Sequence, residues 1–161
     1  MPRSLGWFSL SFVIIVFDYL TKIAVLGSLA PGESRSLAPF FNLVLVFNKG
    51  AAFSFLSGAE GWQTLFFAAI AVVASMVVIF LIVKNENKTL FCTALALILG
   101  GALGNLYDRL VYGQVVDFLD FHAAGLHWPA FNLADSAITV GAAILILESF
   151  MHREAAGEKR A

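Results

Sequence analysis

Charge is scarce in this chain. Asp, Glu, Lys and Arg make up 13% of its 161 residues and the apolar set 60%, against about 25% and about 45–50% in a soluble domain. So few polar side chains cannot cover a water-facing globule of this length, which excludes an ordinary soluble domain and makes lipid the expected solvent. Cysteine is nearly absent as well. Cys92 stands alone, so an internal disulfide and the Cys/His spacings of structural zinc sites are excluded. It lies in an apolar stretch with no histidine beside it, and a catalytic thiol is not expected. No basic run crosses the body of the chain, and ten Lys plus Arg face eleven Asp plus Glu for a net charge of -1. A nucleic-acid partner is therefore not expected. His122 and His127, five apart in a loop without a neighbouring cysteine, do not read as a metal site, and neither metal nor cofactor is expected.

What is abundant is uncharged length. A helix crossing the roughly 30 Å hydrocarbon layer needs about 20 mostly apolar residues. Four such runs occur, at about 5–25, 62–83, 90–107 and 133–151, followed by a polar tail at 152–161. A cleavable leader is the competing reading of the first run, since Arg3 precedes it and Gly27, Ser28 and Ala30 follow. Asp18 and Lys22 within it favour a retained span. The chain reads as one all-α polytopic membrane domain. With the N-terminus inside, Arg3, Lys84, Lys88, Arg153, Lys159 and Arg160 fall on the inner face, against Lys22, Arg35, Lys49 and Arg109 outside. That bias sets both termini in the cytoplasm. The two outer connections are β-prone: residues 27–61 hold the run 41–47, the turn signal Asn48-Lys49-Gly50 and the stretch 51–55, and residues 109–132 hold 115–119. Strand at membrane depth leaves backbone groups unpaired in lipid. A small extracytoplasmic β-element at the interface is expected, as a hairpin or curled sheet.

Ionisable groups in a span cost about 2.5–3.5 kcal/mol each at the helix centre on insertion scales, so those retained need a reason. In this orientation Asp18, Lys22, Asp108, Arg109, Asp117, Asp120 and Asp135 all fall at outer helix ends or in outer loops, which points to a site near the outer leaflet. Asp18 and Lys22, acid before base and four apart, pair on one helix face. Gly100, Gly104 and Asp108 share one stripe of the third span, and Gly101, Asn105 and Arg109 the next, a spacing that admits close approach of another helix. Asn105 and Arg109 offer an amide and a guanidinium fork, suited to holding carboxylates or a carbonyl-bearing ligand. Asn132 is a good N-cap for the fourth span, and Asp135, three residues on, completes a capping box. Asp117 sits among Val115, Val116, Phe118 and Leu119 with no local partner.

If the outer loop folds back, Asp117 or Asp120, which point to opposite faces of a strand, meets Asp135. Two close carboxylates do not both ionise readily and share a proton. The ionised member then takes a proton from water while the protonated one polarises a carbonyl, which is the chemistry of an aspartic peptidase. Spacing leaves the choice between Asp117 and Asp120 open. It also leaves two other readings, a small proton-coupled transporter and a non-catalytic membrane subunit. Against the transporter, the acids collect at helix ends rather than at the midplane, and repeated halves are missing.

Five blocks, taken in order, resemble one family, the bacterial lipoprotein (type II) signal peptidases. They are Asp18-Tyr19-Leu20-Thr21-Lys22, Asn48-Lys49-Gly50-Ala51-Ala52-Phe53, the stretch 100–109, Val115-Val116-Asp117-Phe118 and Phe131-Asn132-Leu133-Ala134-Asp135-Ser136. The resemblance implies a metal-independent aspartic endopeptidase of the bacterial cytoplasmic (inner) membrane, monomeric and surrounded by membrane lipid. Its substrates are diacylglyceryl-modified prolipoproteins, cut on the N-terminal side of the lipidated cysteine. It also implies four transmembrane helices with a small outer β-element and a mobile outer loop or short helix over the site. By analogy the catalytic pair falls on Asp117 and Asp135, which decides for Asp117 over Asp120. Asn48, Gly50, Asn105, Arg109 and Asn132 line or support the substrate pocket, and Asp18, Lys22, Gly101, Gly104, Asp108 and Ala134 hold the structure around it. The helix N-terminus favours negative charge at Asp135, so Asp117, among Val, Phe and Leu, is expected to hold the shared proton.

Overall fold

The computed structural model describes residues 2–50 and 62–158, with the side chains of the last helix described through Met151. The four apolar runs form helices α1 (Ser4–Leu26), α2 (Trp62–Lys84), α3 (Thr89–Tyr112) and α4 (Leu133–Glu158). Each is long and apolar enough to cross a membrane, the fourth over Leu133–Met151. α3 runs past its uncharged stretch because Asp108 and Arg109 both find partners inside the protein. It ends at Gly113, whose φ of 69° is the left-handed cap that glycine adopts without strain. α2 is apolar all round and offers Leu65, Met76 and Phe80 outward at 58–73% exposure, as suits a face solvated by acyl chains.

α3 is the centre of the bundle, packed against α1, α2 and α4. Its glycine stripe makes this possible. A Cβ on Gly100 would lie 2.7 Å from Ile14 Cβ on α1, and one on Gly101 would strike the Ala134 carbonyl oxygen and lie 2.7 Å from Ile138 Cγ1 on α4. The two adjacent glycines thus face different helices. Gly101→Ala is expected to push the first turn of α4 off α3 and destabilise the fold by about 1–3 kcal/mol, the range for overpacking a tight contact. Thermal melting in detergent measures this.

The outer connections build a four-stranded antiparallel sheet from β1 (Ser34–Ala38), β2 (Phe41–Asn48), β3 (Val115–Ala123) and β4 (Leu126–His127), in that spatial order. The hairpin partner of β2 precedes it in the chain, across the Pro39-Phe40 turn. The stretch 51–55, expected to belong to the β-element, lies outside the described residues. Leu43 pairs with Leu119 but Val46 pairs with Asp117, so β2 carries one extra residue and kinks. Val25 and Leu29 pack with Leu45, Val116 and Phe118 to seat the sheet on the end of α1. At the opposite end of the bundle, Glu86 ties the α2–α3 link to α1: its carboxylate accepts from Ser4 N at 3.0 Å and its carbonyl from Trp7 Nε1 at 3.1 Å.

One excursion positions the site. After β3 the chain reverses through Ala124 and Gly125, both at positive φ (50° and 79°), and returns antiparallel to β3. Phe131 O accepts from Phe118 N at 3.0 Å and Leu119 N at 2.8 Å, and Phe131 N donates to Leu119 O at 3.1 Å. This register carries position 117 alongside the start of α4.

Candidate active site

Asp117 lies mid-strand on β3, 2% exposed. Its Oδ2 accepts from Asn48 Nδ2 at 3.1 Å and its Oδ1 from Asn132 Nδ2 at 2.8 Å. Asn48 reaches it because Val46, two residues back on the same face of β2, is the cross-strand partner of Asp117. Asp135 stands in the first turn of α4. Its Oδ1 accepts from Asn105 Nδ2 at 2.7 Å and its Oδ2 from Asn132 N at 3.3 Å, while Asp135 N donates to Asn132 Oδ1 at 2.9 Å. The capping box is therefore present and is also the site. Through its side chain Asn132 holds one carboxylate and through its backbone the other, so both converge on a single residue that is itself fully buried.

The two acids of β3 live in different surroundings. Burial, and next the neighbouring Asp135 carboxylate, push Asp117 up to about 7, against the bonds from Asn48 and Asn132 that pull it down. Asp120 points away from the site. Burial raises it too, but the bonds from Asn42 and His127, at 2.9 Å each, outweigh that and hold it below the usual carboxylate range. The structure thus brings Asp117, and not Asp120, to Asp135. His122 and His127 stack on each other beside Asp120, their ring centroids 4.9 Å apart. Among the described residues no group of three or more His, Cys, Asp or Glu side chains is arranged to hold a metal ion.

Both carboxylates open on a cleft of about 560 Å³. Arg109 forms part of its wall: Nη1 donates to Asn105 O at 3.1 Å, Nη2 to Gly50 O at 3.3 Å, and the guanidinium lies 5.5 Å from the centre of the Phe67 ring. Gly50 N in turn donates to Asn48 Oδ1 at 2.9 Å, which turns the Asn48 Nδ2 toward Asp117. Arg109 thereby fixes the end of β2 without bonding either acid directly, and keeps a cation at the rim.

Beneath the cleft, Lys22 is 1% exposed and bridges two carboxylates, Asp18 Oδ2 at 2.7 Å and Asp108 Oδ2 at 2.8 Å. The Asp18–Lys22 pair thus gains a third member from α3. Asp18 Oδ1 accepts from Ala134 N at 2.9 Å, and Asp108 Oδ2 from Val116 N at 3.0 Å. One acid pins the start of α4 and the other the start of β3, the two segments that bear Asp135 and Asp117. Ala134 is fully buried, and a Cβ on Gly104 would lie 2.7 Å from Asp18 Oδ2, so this contact depends on small residues.

Sequence reasoning did not find the far wall of the cleft, made by Trp128, Pro129, Ala130 and Thr139. Thr139 follows Asp135 by one turn on the same helical face, a signal that was available. Nothing local marks Trp128-Pro129-Ala130, whose place depends on the fold-back against β3.

Comparison with known proteins points to one family. The profile of one family, Signal peptidase (SPase) II, matches residues 10–151. A lipoprotein signal peptidase of Paraburkholderia phymatum is 57% identical over 142 residues, 88% of this chain and 86% of that protein. One from Ralstonia nicotianae is 57% identical over 88% of this chain and 82% of its own length. Among solved structures, one described as a bacterial membrane enzyme obtained by the in meso method at 2.3 Å resolution superposes with a TM-score of 0.81. It is 31% identical and covers 91% of this chain and 88% of its own.

Proposed function

The chain belongs to the signal peptidase II family, and on that premise we propose that it cuts diacylglyceryl-modified prolipoproteins on the N-terminal side of the lipidated cysteine, with Asp117 and Asp135 as the catalytic pair. The observation that carries this reading is the convergence of one buried and one half-buried carboxyl on Asn132 at the mouth of one cleft. Near neutral pH one proton serves both. Asp117 holds it and donates to the scissile carbonyl oxygen; ionised Asp135 takes a proton from the attacking water, whose oxygen bonds to the carbonyl carbon. Collapse of the tetrahedral intermediate breaks the C–N bond; the leaving nitrogen takes the proton from Asp135, and the hydroxyl formed from the carbonyl returns its proton to Asp117 as the C=O re-forms. No metal or cofactor enters these steps.

The setting suits a lipid-anchored substrate. The acids gather at the end of the bundle that bears the sheet, and the Lys/Arg bias puts that end at the outer leaflet, with both termini in the cytoplasm. A substrate held by acyl chains arrives laterally while water enters from the sheet side. A single chain supplies the whole set of side chains named above, so a monomer suffices, in the bacterial inner membrane.

The pH dependence tests the pairing. Only the singly protonated pair cleaves. Raising the pH through about 7 strips the proton from Asp117, so kcat/KM is expected to fall on that alkaline limb; on the acid side a second proton neutralises Asp135 and activity falls again. The measurement is kcat/KM for a lipidated peptide across this range. A profile flat from about pH 6 to about pH 9 would contradict proton sharing.

A further inference from the structure

Lys22 lies below the cleft, yet one side chain joins it to Asp135. An ammonium has three hydrogens and no lone pair. Those of Lys22 meet three acceptors: Asp18 Oδ2 at 2.7 Å, Asp108 Oδ2 at 2.8 Å and Asn105 Oδ1 at 3.1 Å. The atom of Asn105 that faces Lys22 is therefore its oxygen; Asn132 Nδ2 also lies 3.1 Å from that oxygen, but its two hydrogens are shared with Asp117 Oδ1 at 2.8 Å and Val116 O at 3.2 Å. With Oδ1 so engaged, Asn105 Nδ2 must point the other way, where it donates to Asp135 Oδ1 at 2.7 Å. A flipped amide would set NH₂ against a cation and oxygen against a carboxylate.

Resting on the reading of Asp117 and Asp135 as the catalytic pair, we propose that Lys22 is a positioning residue: by fixing which way the Asn105 amide points, it keeps a donor on Asp135 and so keeps the shared proton on Asp117. The other charged groups around Asp135 are Asp117 from β3 and Arg109 from α3, with Asp18 and Asp108 behind Lys22. Arg109 is bonded to the Asn105 carbonyl rather than to its side chain, and does not set the amide.

Lys22→Met alone leaves two buried carboxylates without a cation and endangers the fold. The test therefore uses the neutralised triple variant Asp18→Asn/Lys22→Met/Asp108→Asn, which preserves an oxygen for Ala134 N and another for Val116 N. With the amide free to turn, kcat is expected to fall about tenfold to a hundredfold while KM stays within about twofold. The acid limb of the pH–rate profile should rise by about one unit, the size expected for losing one hydrogen bond to a charged group. In an Asn105→Ala background the same three changes should leave the limb where Asn105→Ala alone puts it. A merely structural role would lower the amount of active protein and leave the limbs at their wild-type pH; that result, or loss of the fold in the neutralised variant, overturns the proposal. Full activity in Asp117→Asn or Asp135→Asn protein would instead sink the catalytic pair itself, a distinct outcome.

Discussion

Asp117→Asn and Asp135→Asn proteins are expected to fold and to lose cleavage by about 1,000-fold or more, within the range that general acid and base groups contribute together. The amide has the shape of the carboxyl but neither gains nor gives up a proton in the working range. Asp117→Asn keeps an oxygen to accept from Asn132 or Asn48, sets its NH₂ against the other, and removes the proton that reaches the carbonyl. Asp135→Asn retains an oxygen for the Asn132 amide and removes the base. The control is Asp120→Asn, on the opposite face of β3 and bonded to Asn42 and His127, which should cut within about twofold of wild type, as a change away from the reacting groups does. Product formation from a lipidated precursor, with melting temperature as the check on folding, reads all three.

Asn132→Leu should be nearly as damaging, for a different reason. The residue is fully buried. Its side chain caps α4, donates to Asp117, and meets the Val116 carbonyl at 3.2 Å and Asn105 Oδ1 at 3.1 Å. Leucine matches the volume and satisfies none of these groups. The lost cap costs about 1 kcal/mol and each buried group left unbonded about 1–3 kcal/mol, so the melting temperature falls clearly and activity drops about 100-fold or more. Asn132→Asp separates the cap from the donor. It restores the cap acceptor and with it about 1 kcal/mol, but it supplies no donor to Asp117, Val116 or Asn105 and adds a third carboxyl to the pair, so most of the stability and the cleavage stay lost. Melting and cleavage measured on both variants check this.

The helices were legible because uncharged length is a strong signal over a whole span, and the acids could be assigned to one end from the spacing of the spans alone. The Asp18–Lys22 pair could be read from an interval of four within one helix. Asp108, its third member, could not, because that contact joins α1 to α3 and no spacing rule links residues so far apart in sequence. The β-element was legible in kind from the run 41–47, but Ser34–Ala38, the strand that pairs with it, is mostly polar and lacks the alternation that marks a strand. Choosing Asp117 over Asp120 needed the fold-back of Phe131 onto Leu119. That reversal turns partly on Ala124 at a φ of 50°, a conformation alanine seldom adopts and for which the sequence holds no cue. Family resemblance supplied the choice where local physics was silent.

The most direct test of peptide hydrolysis by this pair of carboxyls uses purified protein in detergent with a metal chelator present. It is given a diacylglyceryl-modified prolipoprotein and, in parallel, the same precursor without the lipid. The lipidated precursor should be cut before its modified cysteine at a rate the chelator does not change, and the unlipidated one left whole. Abolition of cleavage by the chelator, equal cutting of both precursors, or an intact lipidated precursor would contradict it.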